Sequence, residues 1–464
     1  MMAPQQSLAL FTDLYELTMA ASYFQHHMFA PATFSVFVRK LPRQRGFLVA
    51  AGLHEVVRFL ERFSFSADDI EFLRQTGRFQ PDFLDYLARL RFSGEVYALP
   101  EGRVFFANEP LMEITAPLIE AQLVETFVLN ALHLQTLIAS KAARCFYAAQ
   151  GRSLVDFALR RTHGTDAGLK VARASYLAGF AGTSNVLAGK LYGIPFLGTM
   201  AHSFIQSFDD EEEAFRAYAE TFPDETALLI DTYDTLAGAR RAARVGQALQ
   251  ARGHQLRGVR LDSGDLLSLS RATREILDAA GLQNVRIYAS GGLNEDKIAH
   301  LVAHGAPIDV FGVGTDMGVS GDAPSLDIAY KLVEYAGRPR LKLSSEKETY
   351  LGKKQVFRVV AENGLDERDL LGLREEGSGE VAPEVPAGRV TPLLQPVMAH
   401  GRLLSPLPTL QESRALFLAD FAALPEAMKA LQAPVPYPVT LTPTLARFQD
   451  ETVAQLHARF GRHP

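Results

Sequence analysis

A single cysteine, Cys145, stands among 464 residues, so no intrachain disulfide and no cysteine-rich zinc site can form. Such cysteine usage fits a reducing compartment. Long apolar runs are missing too. Nowhere do about 18 apolar residues follow one another, as a membrane-spanning helix would need. The N-terminal MMAPQQSLALFTD has no basic stretch ahead of a long apolar core, so no signal peptide is expected. Nor is there an excess of basic charge. Lys and Arg number 47 against 53 Asp and Glu, a net charge of −6, which gives no bulk attraction for nucleic acid or an anionic membrane. A local basic pocket for a phosphorylated substrate remains open. These absences point to a cytoplasmic globular chain, long enough for two or three domains.

Residues 1–150 read as a mixed α+β domain. Helical spacing covers 13–27, 52–63 and 67–90, alternation marks 33–38 (TFSVFV), and short strands fall near 93–98 and 110–115. A long apolar helix over 117–149 leads out of this domain. The rhythm then changes. The runs SLVDFAL (153–159), IPFLGT (194–199), ALLIDTY (227–233), GVRLD (258–262), VRIYAS (285–290) and IDVFGVG (308–314) each precede a helix or a helix start. Repeated β-then-α units imply parallel strands. Six in series suit an α/β barrel over 151–340, and an open doubly wound sheet is the alternative that periodicity leaves standing. The remainder, 341–464, reads as mixed strands then helices, a C-terminal extension packing on the rest. Within it REEGSGEVAPEVPAG (374–388) has the composition of a loop or linker.

Polar and glycine residues cluster at the C-terminal ends of the barrel runs, the face where parallel α/β sheets place their sites. ASGGLNEDK brings Gly291 and Gly292 to the end of one strand, just before a helix. VFGVGTDMG brings Gly312, Gly314 and Thr315 to the next. One double glycine is most simply a tight turn, but two successive glycine loops suit a phosphate cradle. In GVRLDSGDL, Arg260 and Asp262 lie two apart and share a strand face. Arg260 suits a carboxylate or pyrophosphate, while Asp262 and Asp265 suit ribose hydroxyls or a magnesium shell. The plainer alternative is a strand-end salt bridge plus an N-cap. Phe157, Arg160 and Arg161 end another strand, as an anion site or as solvated charge. Thr199 and His202 follow FLGT, where a lone histidine is more often structural than catalytic. The acidic run 209–213 is read as helix-start charge that complements the dipole, and His26 and His27 as a helix end.

Taken in order, these segments resemble the nicotinate phosphoribosyltransferase family. The likeness begins at TDLYELTMA (12–20). It runs through FVRKLPRQRGF (37–47), VDFALRRTHG (155–164), GTSNVLAGKLYGIP (182–195), GTMAHSF, RLDSGDL, ASGGL and GVGTDMG, to KLSSEKETYLGKKQVFR (342–358). One departure is that Leu351 precedes Gly352 where the family usually has a Pro-Gly pair, which bears only on a local turn. The resemblance implies an irregular barrel of the type II phosphoribosyltransferase fold, in a homodimer with sites near the interface. It implies condensation of nicotinate with 5-phosphoribosyl 1-pyrophosphate, with magnesium, coupled to ATP hydrolysis through a phosphohistidine. Carried over by position, His202 is the phosphorylated histidine, and Thr199 and Arg260 contact nicotinate. Tyr15, from the partner subunit, and Phe157 sandwich the ring. Arg160, Asp262, Gly291 and Thr315 hold the phosphoribosyl group, with Gly292 and Gly314 in the same loops.

The same resemblance leaves rivals. Nicotinamide-specific relatives carry an aspartate where Ser184 stands, and a carboxylate there would repel nicotinate, so Ser184 favours the acid. Quinolinate phosphoribosyltransferases are shorter and normally lack the GTMAHSF histidine. A catalytically silent phosphoribosyl-pyrophosphate-binding regulator would be expected to lose Arg260, Asp262 or His202, and all three are present. A barrel aldolase or isomerase would want a lysine or a carboxylate base at a strand end, and these strand ends offer no lysine.

Overall fold

The computed structural model describes residues 8–343, 349–386 and 388–460. Residues 344–348, within the last family-like segment, lie outside them. By contacts the chain forms two units, Met1–Leu137 with Ser325–Pro464, and Ile138–Pro324.

The second unit carries the parallel sheet. Its six strands lie in the order Gly182–Thr183, Ser153–Asp156, Val310–Val313, Arg286–Ala289, Gly258–Leu261, Ala227–Leu229, and every neighbouring pair is parallel. The two outermost strands do not pair with each other, so the sheet is an unclosed, irregular α/β barrel. Leu154, Val155, Val259, Leu261, Ile287, Ala289, Phe311 and Val313 are buried, as apolar strand residues under a crossover helix must be. IPFLGT supplies less strand than its composition suggests. Only Phe196 bridges, to Thr183, and the strand beside Ser153–Asp156 is the two-residue Gly182–Thr183, too short to show a period.

The crossover helices start where short polar side chains replace the missing turn of backbone partners. Asn185 accepts from Ala188 N–H, Asp234 from Ala237 N–H, Asp265 from Leu267 N–H and Asn294 from Lys297 N–H. The acidic run behaves as read. Asp210 caps the helix Glu211–Thr221, with Glu211, Glu212 and Glu213 in its first turn.

In the first unit Pro31–Val38 pairs antiparallel with both Pro110–Pro117 and Ile328–Tyr335, so strands that precede and follow the second unit in the chain share one sheet. A second sheet combines Lys354–Val360, Asp366–Leu373, Val390–Pro392 and Val439–Leu441. The single helix expected over 67–90 is two, Ala67–Gln75 and Pro81–Arg89. Gly77 takes φ +68 between them, and Pro81 is suited only to a helix's first turn. The long apolar helix likewise divides at Val124 into Leu118–Leu123 and Glu125–Ala149. The 374–388 segment contains one turn of helix, Ser378–Val381, and His26 ends the helix Leu14–Gln25. At the Leu351-Gly352 departure, Gly352 supplies a left-handed turn at φ +73. No helix among the described residues is long and apolar enough to cross a membrane.

Candidate active site

A cavity of about 590 Å³ opens at the C-terminal ends of the parallel strands. Its wall takes Phe157 and Arg160 from the end of the first barrel strand, Ser184 from the second, and Thr199 and His202 from the segment that follows. Arg260 and Asp262, then Gly291 and Gly292, then Gly314 and Thr315 complete it from three further strands. Eleven of the twelve residues to which the family resemblance gives a place in the site therefore meet in one place. The twelfth, Tyr15, stands near the start of Leu14–Gln25 in the first unit, 46% exposed, and does not line this cavity.

Asp156, which sequence reading passed over as part of a strand, braces one side. Its carboxylate accepts from Ala158 N–H at 2.8 Å and from the Thr183 hydroxyl at 2.7 Å. Its carbonyl accepts from Ser184 N–H at 2.8 Å. Burial pushes the Asp156 carboxyl above its ordinary value, against the pull of these hydrogen bonds. The turn that presents Phe157 is thus tied to the strand end that presents Ser184. The Phe157 ring lies over Gly312, where a Cβ would come within 2.5 Å of it. Arg160 and Arg161 follow in a short turn of 3-10 helix, Leu159–Arg161, and both are exposed at the cavity.

Arg260 is the least exposed of the three arginines in the wall. It donates to the Thr199 hydroxyl. Its Nη2 stands 4.0 Å from Asp262 Oδ1, beyond hydrogen-bond reach, and its buried Nε has no partner among the described residues. Burial lowers its pKa, while Asp262 and Asp231 favour the charge. A largely buried guanidinium with uncommitted donors is built to receive an anion.

Asp262 accepts from the Ser290 hydroxyl. Its own N–H donates to Asp231 Oδ2 at 3.0 Å, and the Ser263 hydroxyl donates to the same oxygen at 2.6 Å. His202 opens the helix His202–Gln206. Its Nδ1 lies 3.1 Å from the Thr232 hydroxyl, and its Nε2 lies 3.7 Å from Asp262 Oδ2. Asp231 and Thr232 were missed in the sequence. The only signal was their place at the end of the ALLIDTY run, the kind of position that Phe157, Asp262 and the glycine loops share.

The glycine loops need glycine. Gly291 takes φ +92, and a Cβ there would sit 1.8 Å from the Asp262 carbonyl oxygen; Gly292 takes φ +64. Asn294 then caps the helix Glu295–Ala303, leaving its first N–H groups beside the loop. Asp265 has a different task from its neighbour. It caps the helix Leu266–Ala279 and does not line the cavity. No group of three or more His, Cys, Asp or Glu that could hold a metal lies among the described residues.

Three family models match the chain: the nicotinate phosphoribosyltransferase N-terminal domain over residues 10–133, the nicotinate phosphoribosyltransferase family over 152–363, and its C-terminal domain over 353–449. A nicotinate phosphoribosyltransferase of Mycobacterium tuberculosis is 51% identical over 97% of this chain and 96% of its own. That of Bacillus subtilis is 42% identical over 80% of this chain and 77% of its own. The crystal structure of human nicotinic acid phosphoribosyltransferase superposes with a TM-score of 0.85 at 33% identity, covering 95% of this chain and 99% of that one.

Proposed function

The chain belongs to the nicotinate phosphoribosyltransferase family, and on that premise we propose that its cavity joins nicotinate to 5-phosphoribosyl 1-pyrophosphate. The products are nicotinate mononucleotide and pyrophosphate, a salvage step toward NAD. The observation that carries this reading is Arg260, a largely buried guanidinium with uncommitted donors, facing the same cavity as two glycine loops.

Nicotinate lies with its carboxylate toward Arg260 and its ring on Phe157. Ser184 adds no negative charge beside that carboxylate. The 5-phosphate rests in the loops of Gly291-Gly292 and Gly314-Thr315, where backbone N–H groups face it. Asp262 holds ribose hydroxyls. The pyridine nitrogen forms the new bond to C1 while the C1–oxygen bond to pyrophosphate breaks, its electron pair leaving with pyrophosphate. Arg160 and Arg161 meet the charge that leaves. Magnesium carried on a pyrophosphate needs only one or two protein carboxylates. Asp262 fits that need, and the bound ion would neutralise the departing charge.

ATP acts as co-substrate through His202. The Thr232 hydroxyl engages Nδ1, and in the tautomer that carries its proton at Nδ1 the Nε2 lone pair is the nucleophile. Nε2 bonds to the γ-phosphorus, the bond to the bridging oxygen breaks, and ADP leaves with that electron pair. Tyr15 closes the ring site from a partner subunit of a homodimer. Exposed apolar side chains support such an interface: Val186, Leu187, Leu191 and Phe196 in one unit, Leu8, Phe11 and Leu14 around Tyr15 in the other.

The test is a product assay with nicotinate, nicotinamide and quinolinate side by side, each with and without ATP. Nicotinate mononucleotide should form from nicotinate, faster with ATP. Equal turnover of nicotinamide, or product from quinolinate alone, would overturn the assignment.

A further inference from the structure

Lys141 is a lysine with no water to face. It sits on the helix Glu125–Ala149, and its side chain is 2% exposed. Its ammonium lies 2.6 Å from Glu295 Oε2, 2.7 Å from Asp316 Oδ2 and 3.0 Å from Asp322 Oδ1. One ammonium has three donors, and here three carboxylates surround it. Arg144, one helical turn on, donates from Nε to Glu295 Oε1 at 2.9 Å. Burial alone would pull the lysine's pKa down, but Glu295, Asp316 and Asp322 raise it, so it stays charged. In turn Lys141 and Arg144 hold the Glu295 carboxyl below its usual range despite burial.

The two nearest carboxylates have particular addresses. Glu295 is the first residue of the helix that follows Gly291-Gly292. Asp316 follows Gly314-Thr315 directly. The two loops come from neighbouring parallel strands, Arg286–Ala289 and Val310–Val313, whose pairing stops before either loop begins. Beyond the last ladder bond nothing in the sheet sets one loop against the other. Lys141 touches an acidic residue just behind each of them, Glu295 and Asp316.

We infer that Lys141 is a positioning residue for the phosphate end of the phosphoribosyl pyrophosphate site, holding the Gly291-Gly292 and Gly314-Thr315 loops in the register at which both face one phosphate. Lys141 does not line the cavity, so it acts through Glu295 and Asp316. The inference rests on the reading that these loops bind the phosphoribosyl group.

Steady-state kinetics on Lys141→Met, Asp316→Asn and the double variant test it, with Thr315→Val as a direct probe of the loops. Displacing a binding group by even an ångström is expensive, so the Michaelis constant for phosphoribosyl pyrophosphate should rise by roughly ten- to a hundredfold in Lys141→Met. The Michaelis constant for nicotinate and the saturated rate should change far less. Asp316 is 32% exposed and Asn keeps its shape, so Asp316→Asn disturbs the fold less than the buried lysine variant. It should raise the same constant in the same direction. The double variant should be no worse than Lys141→Met, because both changes cut one tie. If Lys141→Met and Asp316→Asn lower the melting temperature but leave that constant unchanged while Thr315→Val raises it, the cluster is purely structural and the inference fails alone. If Thr315→Val also leaves it unchanged, the loop assignment itself falls.

Discussion

Arg260→Gln offers the sharpest test of what the cavity recognises. Glutamine keeps a polar side chain but ends where Nε of Arg260 stands, two bonds short of the nitrogen that engages the Thr199 hydroxyl, so the charge and that contact are lost together. The guanidinium has one end committed to Thr199 and another 4.0 Å from Asp262, leaving it donors for a carboxylate. A hydrogen bond to a charged group contributes about 1.5–3 kcal/mol. Removing the cation also leaves nicotinate's carboxylate desolvated without a partner, which brings the loss to about 2–4 kcal/mol, or roughly 30- to 1,000-fold in kcat/KM. Nicotinamide has no carboxylate, so its kcat/KM should fall much less, and the preference for the acid should collapse. The assay is competition between the two bases at fixed phosphoribosyl pyrophosphate, with thermal unfolding as the control for folding. If both bases lose the same factor, Arg260 serves the phosphoribosyl side or the fold, and the carboxylate assignment is wrong.

Ser184→Asp should weaken nicotinate use, because it sets one carboxylate beside another; unchanged nicotinate kinetics would place Ser184 away from the acid group. Phe157→Ala should raise the Michaelis constant for nicotinate by the ~0.5–1.5 kcal/mol of an aromatic contact and more for lost area. Gly312→Ala should imitate it by pushing the ring aside, and a Gly312→Ala enzyme with wild-type affinity would refute that packing argument. Mixed dimers of Tyr15→Ala with His202→Ala subunits should regain one working site; no recovery, with exchange confirmed, would put Tyr15 to work in its own subunit. Incubation with γ-labelled ATP should label the protein in an acid-labile form, and His202→Asn should abolish both label and ATP stimulation. Acid-stable label would point instead to a hydroxyl such as Ser203.

Much of this protein was legible in the sequence because the signals are local. Parallel strands announce themselves by apolar runs followed by helices, and a strand's end is where its apolar run stops. Gly291, Gly292 and Gly314 mark loops by lacking a side chain, and Arg260 and Asp262 share a face by alternation alone. Those features depend on neighbours within a few residues, so composition and spacing suffice to place them at one end of one sheet.

What only tertiary structure decided depends on residues far apart in the chain. Thr232 orienting His202, Asp231 bracing the turn of Asp262, and Asp156 tying Thr183 and Ser184 to Phe157 each join separate β-α units. So does Lys141, which leaves no trace in the periodicity of its helix yet meets carboxylates more than a hundred residues away. The pairing of Pro31–Val38 with Ile328–Tyr335 is of the same kind. Which strand lies beside which, and which buried charge finds which partner, is selected by the free energy of closing those long loops together. No short window of sequence contains that term.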